Sequence, residues 1–249
     1  MKNLMTVVSQ KEIADKVFEM ILSGEVVKEI DSAGQFVHVR VSDSVSNVLR
    51  RPISIANINH DDKELTLIYR ADGEGTKKLS KFQSGDIVDI LSPLGSGYPL
   101  EESGNALIIG GGIGVPPLYE LSKQLNRLGV KTTHVLGFNS KKDMFYEEKF
   151  QELGDTYIAT ADGSYGTEGF VTDVIRTLGE DYDKFYSCGP KVMLKVLSET
   201  LPMDGYISLE ERMGCGFGVC YACVCEKTEG GQVKLCTDGP VFKKGEIVL

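Results

Sequence analysis

Ala106-Leu107-Ile108-Ile109-Gly110-Gly111-Gly112-Ile113-Gly114-Val115-Pro116-Pro117 is a buried apolar run, a glycine-rich turn and a proline-led helix start in immediate succession. The run is short and β-branched, as a strand covered on both faces is. After Pro116-Pro117, Leu118, Leu121, Leu125 and Leu128 recur at helical spacing and Gly129 ends the pattern. The same grammar repeats downstream. Strands are expected at Thr132–Phe138, Tyr157–Thr160 and Lys184–Ser187, and helices at Asp143–Leu153, Phe170–Leu178 and Lys191–Glu199. Alternating β-α-β-α predicts a parallel-sheet α/β domain, here over residues 101–205. Glycines between a strand and a helix let the backbone approach a pyrophosphate, which the helix N-terminus attracts, so Gly110, Gly111, Gly112, Ile113 and Gly114 are candidate nucleotide-binding residues. The turn is not G-x-G-x-x-G, so a standard Rossmann dehydrogenase is not indicated. A plain tight connection is the competing reading.

Upstream, residues 1–100 read as all-β. Thr6–Val8, Val17–Leu22, Phe36–Val41, Ile53–Ala56, Leu65–Tyr69 and Ile87–Ile90 are short β-branched runs separated by Ser23-Gly24, Ala33-Gly34, His60-Asp61-Asp62 and Ser84-Gly85-Asp86. This spacing predicts a small antiparallel barrel. Within it, Arg50-Arg51-Pro52-Ile53-Ser54 sets two cations before a strand, and Gly73-Glu74-Gly75-Thr76 opens a short helix expected at Lys77–Phe82. A guanidinium beside a helix start can clamp phosphate. A surface cation and an N-cap are the plainer alternative.

Downstream, residues 206–249 carry Cys215, Cys220, Cys223 and Cys236 in the order C-x4-C-x2-C-x12-C. That is the plant-type thiolate spacing of a [2Fe-2S] cluster. Glycines alternate with the thiols, as a loop that turns its N–H groups inward requires. A zinc knuckle would show two short hooks, whereas only Cys220 and Cys223 make one; a pair of disulfides is the other alternative. Cys225 reads as a small packed side chain. His38, His60 and His134 are isolated and read as packed or surface residues.

Together these features resemble the ferredoxin-NADP reductase superfamily, whose flavin motif is R-x-[Y/aliphatic]-S followed by G-x-[ST]. Ser208-Leu209-Glu210-Glu211-Arg212-Met213-Gly214-Cys215 and Cys236-Thr237-Asp238-Gly239-Pro240-Val241-Phe242 look specifically like the electron-transfer subunits of class B, NAD-dependent dihydroorotate dehydrogenases. The resemblance implies FAD held by Arg51, Pro52, Ile53, Ser54, Ile68, Tyr69, Arg70, Gly75 and Thr76, with Arg51 on the pyrophosphate and Ser54 near the flavin N5. It implies a [2Fe-2S] cluster on the four cysteines, NAD as electron acceptor at Gly110–Pro117, and Cys188 near the nicotinamide, where a buried strand-end thiol is the plainer reading. It also implies an FMN-containing catalytic partner that oxidises dihydroorotate for pyrimidine synthesis, in a heterotetramer of two plus two. Ile53 stands where many superfamily members carry an aromatic ring, and the chain runs on into a cluster segment where single-domain reductases end. The flavin's stacking partners therefore stay unassigned.

A nicotinamide exchanges two electrons as hydride and a cluster exchanges one, so a flavin is the carrier that joins them. Composition agrees with a soluble globular chain: 41% hydrophobic and 25% charged residues. The net charge of −9 argues against nucleic acid, and no apolar run approaches eighteen residues. Six cysteines without an export signal fit metal ligation in the cytoplasm. Competing readings are the small subunit of an NADPH:ferredoxin or sulfide dehydrogenase-type oxidoreductase, with Lys141 and Lys142 meeting a 2′-phosphate, and a non-catalytic redox-sensing or metal-stabilised module.

Overall fold

Residues 2–42, 48–100, 102, 104–179 and 181–249 are described by the structure, a computed structural model. The expected domain boundary at 100–101 adjoins Glu101, which lies outside the described residues.

Six strands, β1 (Lys2–Ala14), β2 (Val17–Ser23), β3 (Phe36–Val39), β4 (Arg51–Asn59), β5 (Glu64–Arg70) and β6 (Ile87–Leu94), close an antiparallel barrel in the order β1-β2-β5-β4-β3-β6. Alternate residues point inward, so Met20 and Leu22, Val37 and Val39, Leu65 and Leu67, and Val88 and Ile90 fill the interior. β1 is far longer than Thr6–Val8 because its outer face is solvated; only Met5 and Val7 along it are fully buried. Such a strand is nearly silent in hydrophobicity. The helix α1 (Glu74–Leu79) begins three residues before the expected Lys77. The Gly73 N–H donates to Thr76 Oγ1 at 3.2 Å and that hydroxyl donates to the Gly73 carbonyl at 3.1 Å, closing the first turn early.

The second half holds β7 (Asn105–Gly111), α2 (Pro116–Arg127), β8 (Lys131–Phe138), α3 (Glu147–Gln151), β9 (Gly154–Thr160), β10 (Thr167–Glu168), α4 (Val171–Ile175), β11 (Lys184–Cys188), α5 (Lys191–Thr200) and β12 (Gly205–Ser208). The expected helix at Asp143–Leu153 is cut to α3. A 3-10 turn takes up Lys141–Asp143, and Tyr146 is left-handed at φ 65°, which no helix can pass through. In α2, Leu118, Leu121 and Leu125 are wholly buried, each contributing about 1.5–3 kcal/mol.

The last segment, with β13 (Val224–Glu226), β14 (Gln232–Lys234) and β15 (Val241–Lys243), is not a detached appendix. β15 pairs antiparallel with β12 through Ser208 and Val241, Ile207 and Phe242, and Tyr206 and Lys243. The sheet order is therefore β10-β9-β8-β7-β11-β12-β15, six parallel strands and one antiparallel edge. Polar contacts tie barrel to sheet. Buried Glu120 of α2 accepts the Ile58 N–H of β4 at 2.9 Å, and the Tyr98 hydroxyl donates to the Ser187 carbonyl at 3.0 Å.

Candidate functional site

β4 and β5 run side by side and deliver Arg51–Ser54 and Ile68–Arg70 to one edge of the barrel, where α1 adds Thr76. These residues border a cleft of about 270 Å³. Its other walls come from elsewhere: Ile113 and Pro116 from the glycine turn, and Leu209, Glu210, Glu211, Met213 and Pro240 from the cluster segment. All three parts of the chain thus meet at one cavity. Larger clefts exist, among them one of about 630 Å³ lined by Asn105, Lys131 and Gly154. That one lies at the N-terminal ends of the parallel strands, away from the carboxyl ends where such sheets take ligands.

The two arginines separate cleanly. Arg50 is a structural residue: its Nη2 lies 2.8 Å from Asp89 Oδ1, and it donates to the Asp89 and His38 carbonyls. Arg51 borders the cleft and lies flat over Gly75, where an added Cβ would stand 2.6 Å from its Nε and Nη2. Gly75 thus makes room for the guanidinium to lie close, and its backbone conformation does not call for glycine. The Thr76 hydroxyl is occupied by Gly73, so what Thr76 can offer an anion is its backbone N–H. Tyr69 also borders the cleft, while its ring stacks on Phe18 at 6.0 Å and its hydroxyl donates to Gln10 Oε1 at 2.6 Å, so the ring lies toward the barrel interior rather than the outer face. Alternation leaves Ile68 and Arg70 on that face, and Arg70 is held by Asp143 at 3.4 Å. Ile53 belongs to the barrel core while bordering the cleft.

In the glycine turn the residues divide by role. A Cβ on Gly114 would fall 2.5 Å from the Cys188 carbonyl group, and one on Gly110 2.8 Å from Val115, so both are close-packing positions. Gly112, at φ +52°, has nothing within 4 Å and is the one open to a ligand. Cys188 is buried at the end of β11, and burial, with Glu210 nearby, pushes its thiol well above the usual range. It is a packed thiol, not a nucleophile. Glu210 was not singled out by sequence. The residue is exposed, and desolvation by the protein around it raises its pKa. It borders both the cleft and a smaller cavity of about 170 Å³ lined by Gly189, Pro190 and Cys225.

All six cysteines are free, so no disulfide frame exists. Cys215 stands with Cys220, whose sulfur accepts the Cys215 N–H at 3.4 Å; the Phe217 N–H reaches the Cys215 sulfur at 3.4 Å. Burial acts to raise the Cys215 pKa, but N–H groups from Phe217, Cys220 and Val219 outweigh it and bring the thiol down to about 6. Cys236 stands with Cys223, and burial together with that neighbour pushes it up to about 12. Among the described residues no three donors converge as a single metal ion needs. Two pairs of thiols, with Cys215 lowered toward thiolate, would suit a [2Fe-2S] cluster better than one zinc. Left-handed Gly216 and Gly218, at φ 80° and 86°, turn the loop back on itself. Cys225 is buried on β13 apart from these pairs.

Residues 210–248 match the iron-sulfur cluster binding domain of dihydroorotate dehydrogenase B, and residues 108–199 match the oxidoreductase NAD-binding domain. The dihydroorotate dehydrogenase B (NAD(+)) electron transfer subunit of Bacillus pumilus is 56% identical over 100% of this chain and 98% of its own length. That of Lysinibacillus sphaericus is 56% identical over 98% of each chain. Among solved structures, an NADH-dependent reduced ferredoxin-NADP oxidoreductase that bifurcates electrons superposes with a TM-score of 0.90 at 28% identity, covering 99% of this chain and 90% of that one. A ferredoxin reductase of carbazole 1,9a-dioxygenase shares the fold at a TM-score of 0.67 and 17% identity, covering 81% of this chain and 65% of that one.

Proposed function

Because the chain belongs to the family of dihydroorotate dehydrogenase B (NAD(+)) electron transfer subunits, we propose that it collects single electrons from a catalytic partner that oxidises dihydroorotate and delivers them in pairs to NAD+. The partner carries FMN in this reading, and the assembly is a heterotetramer of two plus two. It works in the cytoplasm, in pyrimidine synthesis; no helix among the described residues is long and apolar enough to cross a membrane. The observation that carries the reading is the single cleft walled by the barrel, the nucleotide turn and the cluster segment.

Bound FAD exchanges electrons singly on one side and as hydride on the other, and a [2Fe-2S] cluster passes them one at a time. The chain's residues supply the rest. Arg51, resting on Gly75, would neutralise the FAD pyrophosphate, with the N–H groups of Gly75 and Thr76 completing the anion site. Pro52, Ile53 and Ser54 would line the flavin edge, with the Ser54 hydroxyl serving its N5 side. Ile68 and Arg70 would flank the ribityl and adenosine portion, with Tyr69 contributing backbone only. Leu209, Met213 and Pro240 border the cleft, so the cluster segment itself would exclude water from the ring. The open backbone at Gly112 would admit the dinucleotide, with Gly110, Gly111, Ile113 and Gly114 shaping its approach. Cys215, Cys220, Cys223 and Cys236 would hold the irons. Lys142 pairs with Asp15 at 3.7 Å, and the Lys141 ammonium sits 5.2 Å from the Tyr165 ring centre, so both cations have partners within the chain.

The test is chemical analysis and spectroscopy of anaerobically purified protein. One FAD, two irons and two sulfides per chain, with NADH-dependent dye reduction faster than NADPH-dependent reduction, are expected. A colourless zinc protein would overturn the assignment.

A further inference from the structure

His38 is wholly buried on β3, yet neither ring nitrogen makes a hydrogen bond of full geometry among the described residues, the backbone of Cys215 and of Arg50 being its polar neighbours. A buried polar group without a well-formed hydrogen bond calls for an explanation, and the location supplies one. β3 pairs regularly with β4, placing Phe36 opposite Ser54 and His38 opposite Pro52. Being two apart on one strand, Phe36 and His38 share a face. Phe36 walls the cleft shared by the barrel and the cluster segment. His38 lies under the first cysteine loop, where a Cβ placed on Gly216 would stand 2.6 Å from its Nδ1. Gly216 is left-handed and packed on the imidazole, so the loop's path past Cys215 is moulded to this ring.

We propose that His38 is a positioning residue of the iron-sulfur centre: it props the Cys215–Cys220 loop from the barrel side and turns its N–H toward that loop, linking the flavin wall to the cluster ligands through one strand. The proposal rests on the reading above, in which these cysteines hold a cluster and the cleft holds FAD. An imidazole carries one N–H when neutral and two when charged, so the ring has a donor to give in either state. Donors aimed at cluster sulfurs or at their supporting loop stabilise the reduced, more negative state and raise its potential. Deleting this donor should make the cluster a poorer electron acceptor.

His38→Gln keeps an amide donor, whereas His38→Leu fills the space without one. Wild type and both variants are purified anaerobically as full chains, and FAD, iron and sulfide are assayed first. The cluster potential is then titrated and the reduced cluster examined by electron paramagnetic resonance. In His38→Leu the equilibrium for placing an electron on the cluster should fall about tenfold, a shift of about 59 mV to more negative potential, with an altered resonance spectrum. FAD content and NADH-dye reduction should stay at the wild-type level, and His38→Gln should recover part of the shift. An unchanged potential and spectrum in His38→Leu overturns the proposal. If His38→Leu loses its cluster, the expected result is that His38→Gln, which keeps a donor, retains it; loss of the cluster in His38→Gln as well overturns the proposal. A wild-type protein without iron instead defeats the underlying cluster assignment.

Discussion

Replacing Gly75 with alanine should separate FAD affinity from stability. The new Cβ would stand 2.6 Å from Arg51 Nε and Nη2 and 2.8 Å from Cζ. Non-bonded heavy atoms settle near 3.5–4.0 Å, so the guanidinium must retreat by about 1 Å. The side chain is flexible enough to do so at little cost to the fold. A charge-assisted hydrogen bond to phosphate contributes about 1.5–3 kcal/mol, so misplacing it should weaken FAD binding roughly ten- to a hundredfold. Alanine is meanwhile the better helix former by about 0.5–1 kcal/mol, which at this chain length raises the apoprotein's Tm by about 1–4 °C. The assay is quenching of FAD fluorescence on titration with apoprotein, beside a thermal melt of the same sample. Arg51→Ala should weaken binding at least as much, and Gly75→Ala should add nothing in that background, because both act through one guanidinium. Unchanged affinity in Gly75→Ala, or an undiminished loss in the Arg51→Ala background, would refute the reasoning.

Cys220→Ser should leave FAD and NADH-dye reduction intact while removing the cluster and coupling to the partner; iron content equal to wild type would reject Cys220 as a ligand. Gly114→Ala drives a Cβ to 2.5 Å from the Cys188 carbonyl group, an overpacking that should destabilise the protein by about 2–3 kcal/mol; a denaturant midpoint within error of wild type would argue against it. Burial lowers the pKa of His134 to about 4 from its usual 6.5, beside Ser122 and Thr156. Between those values the unfolded chain binds the extra proton, so stability is full above about pH 6.5 and falls by about 3 kcal/mol as pH drops to about 4. His134→Asn should flatten that part of the pH-stability curve, and an equally steep curve in the variant would count against the assignment.

The parts of the site that depend on near neighbours in the chain were legible in the residues. Cysteine spacing is a local property of one loop plus one return, and the glycine turn follows directly from the strand before it and precedes its helix. The arginine and the helix start at Gly75 could each be seen, but not that one lies on the other, because they come from β4 and α1 on either side of β5. The resemblance sets Tyr69 at the ligand and it borders the cleft, but only the structure shows pleat alternation sending its ring inward, to Gln10 and Phe18. Hydrophobic patterning likewise under-read β1, whose outer face is polar, and over-read the helix that Tyr146 interrupts.

Composition, element type and the cysteine spacing that points to metal ligation were decided by the order of residues, since propensity, pattern and ligand spacing act within a few positions of one another. Tertiary structure decided which of the two arginines faces the cleft, which glycines are for packing and which for access, and that Leu209–Met213 wall the cleft. It also decided that His38 lies under the cysteine loop. These are pairings across tens to nearly two hundred positions, set by closure of the barrel and by β15 returning to β12. Register decides them, and a one-residue slip would turn every such side chain to the opposite face.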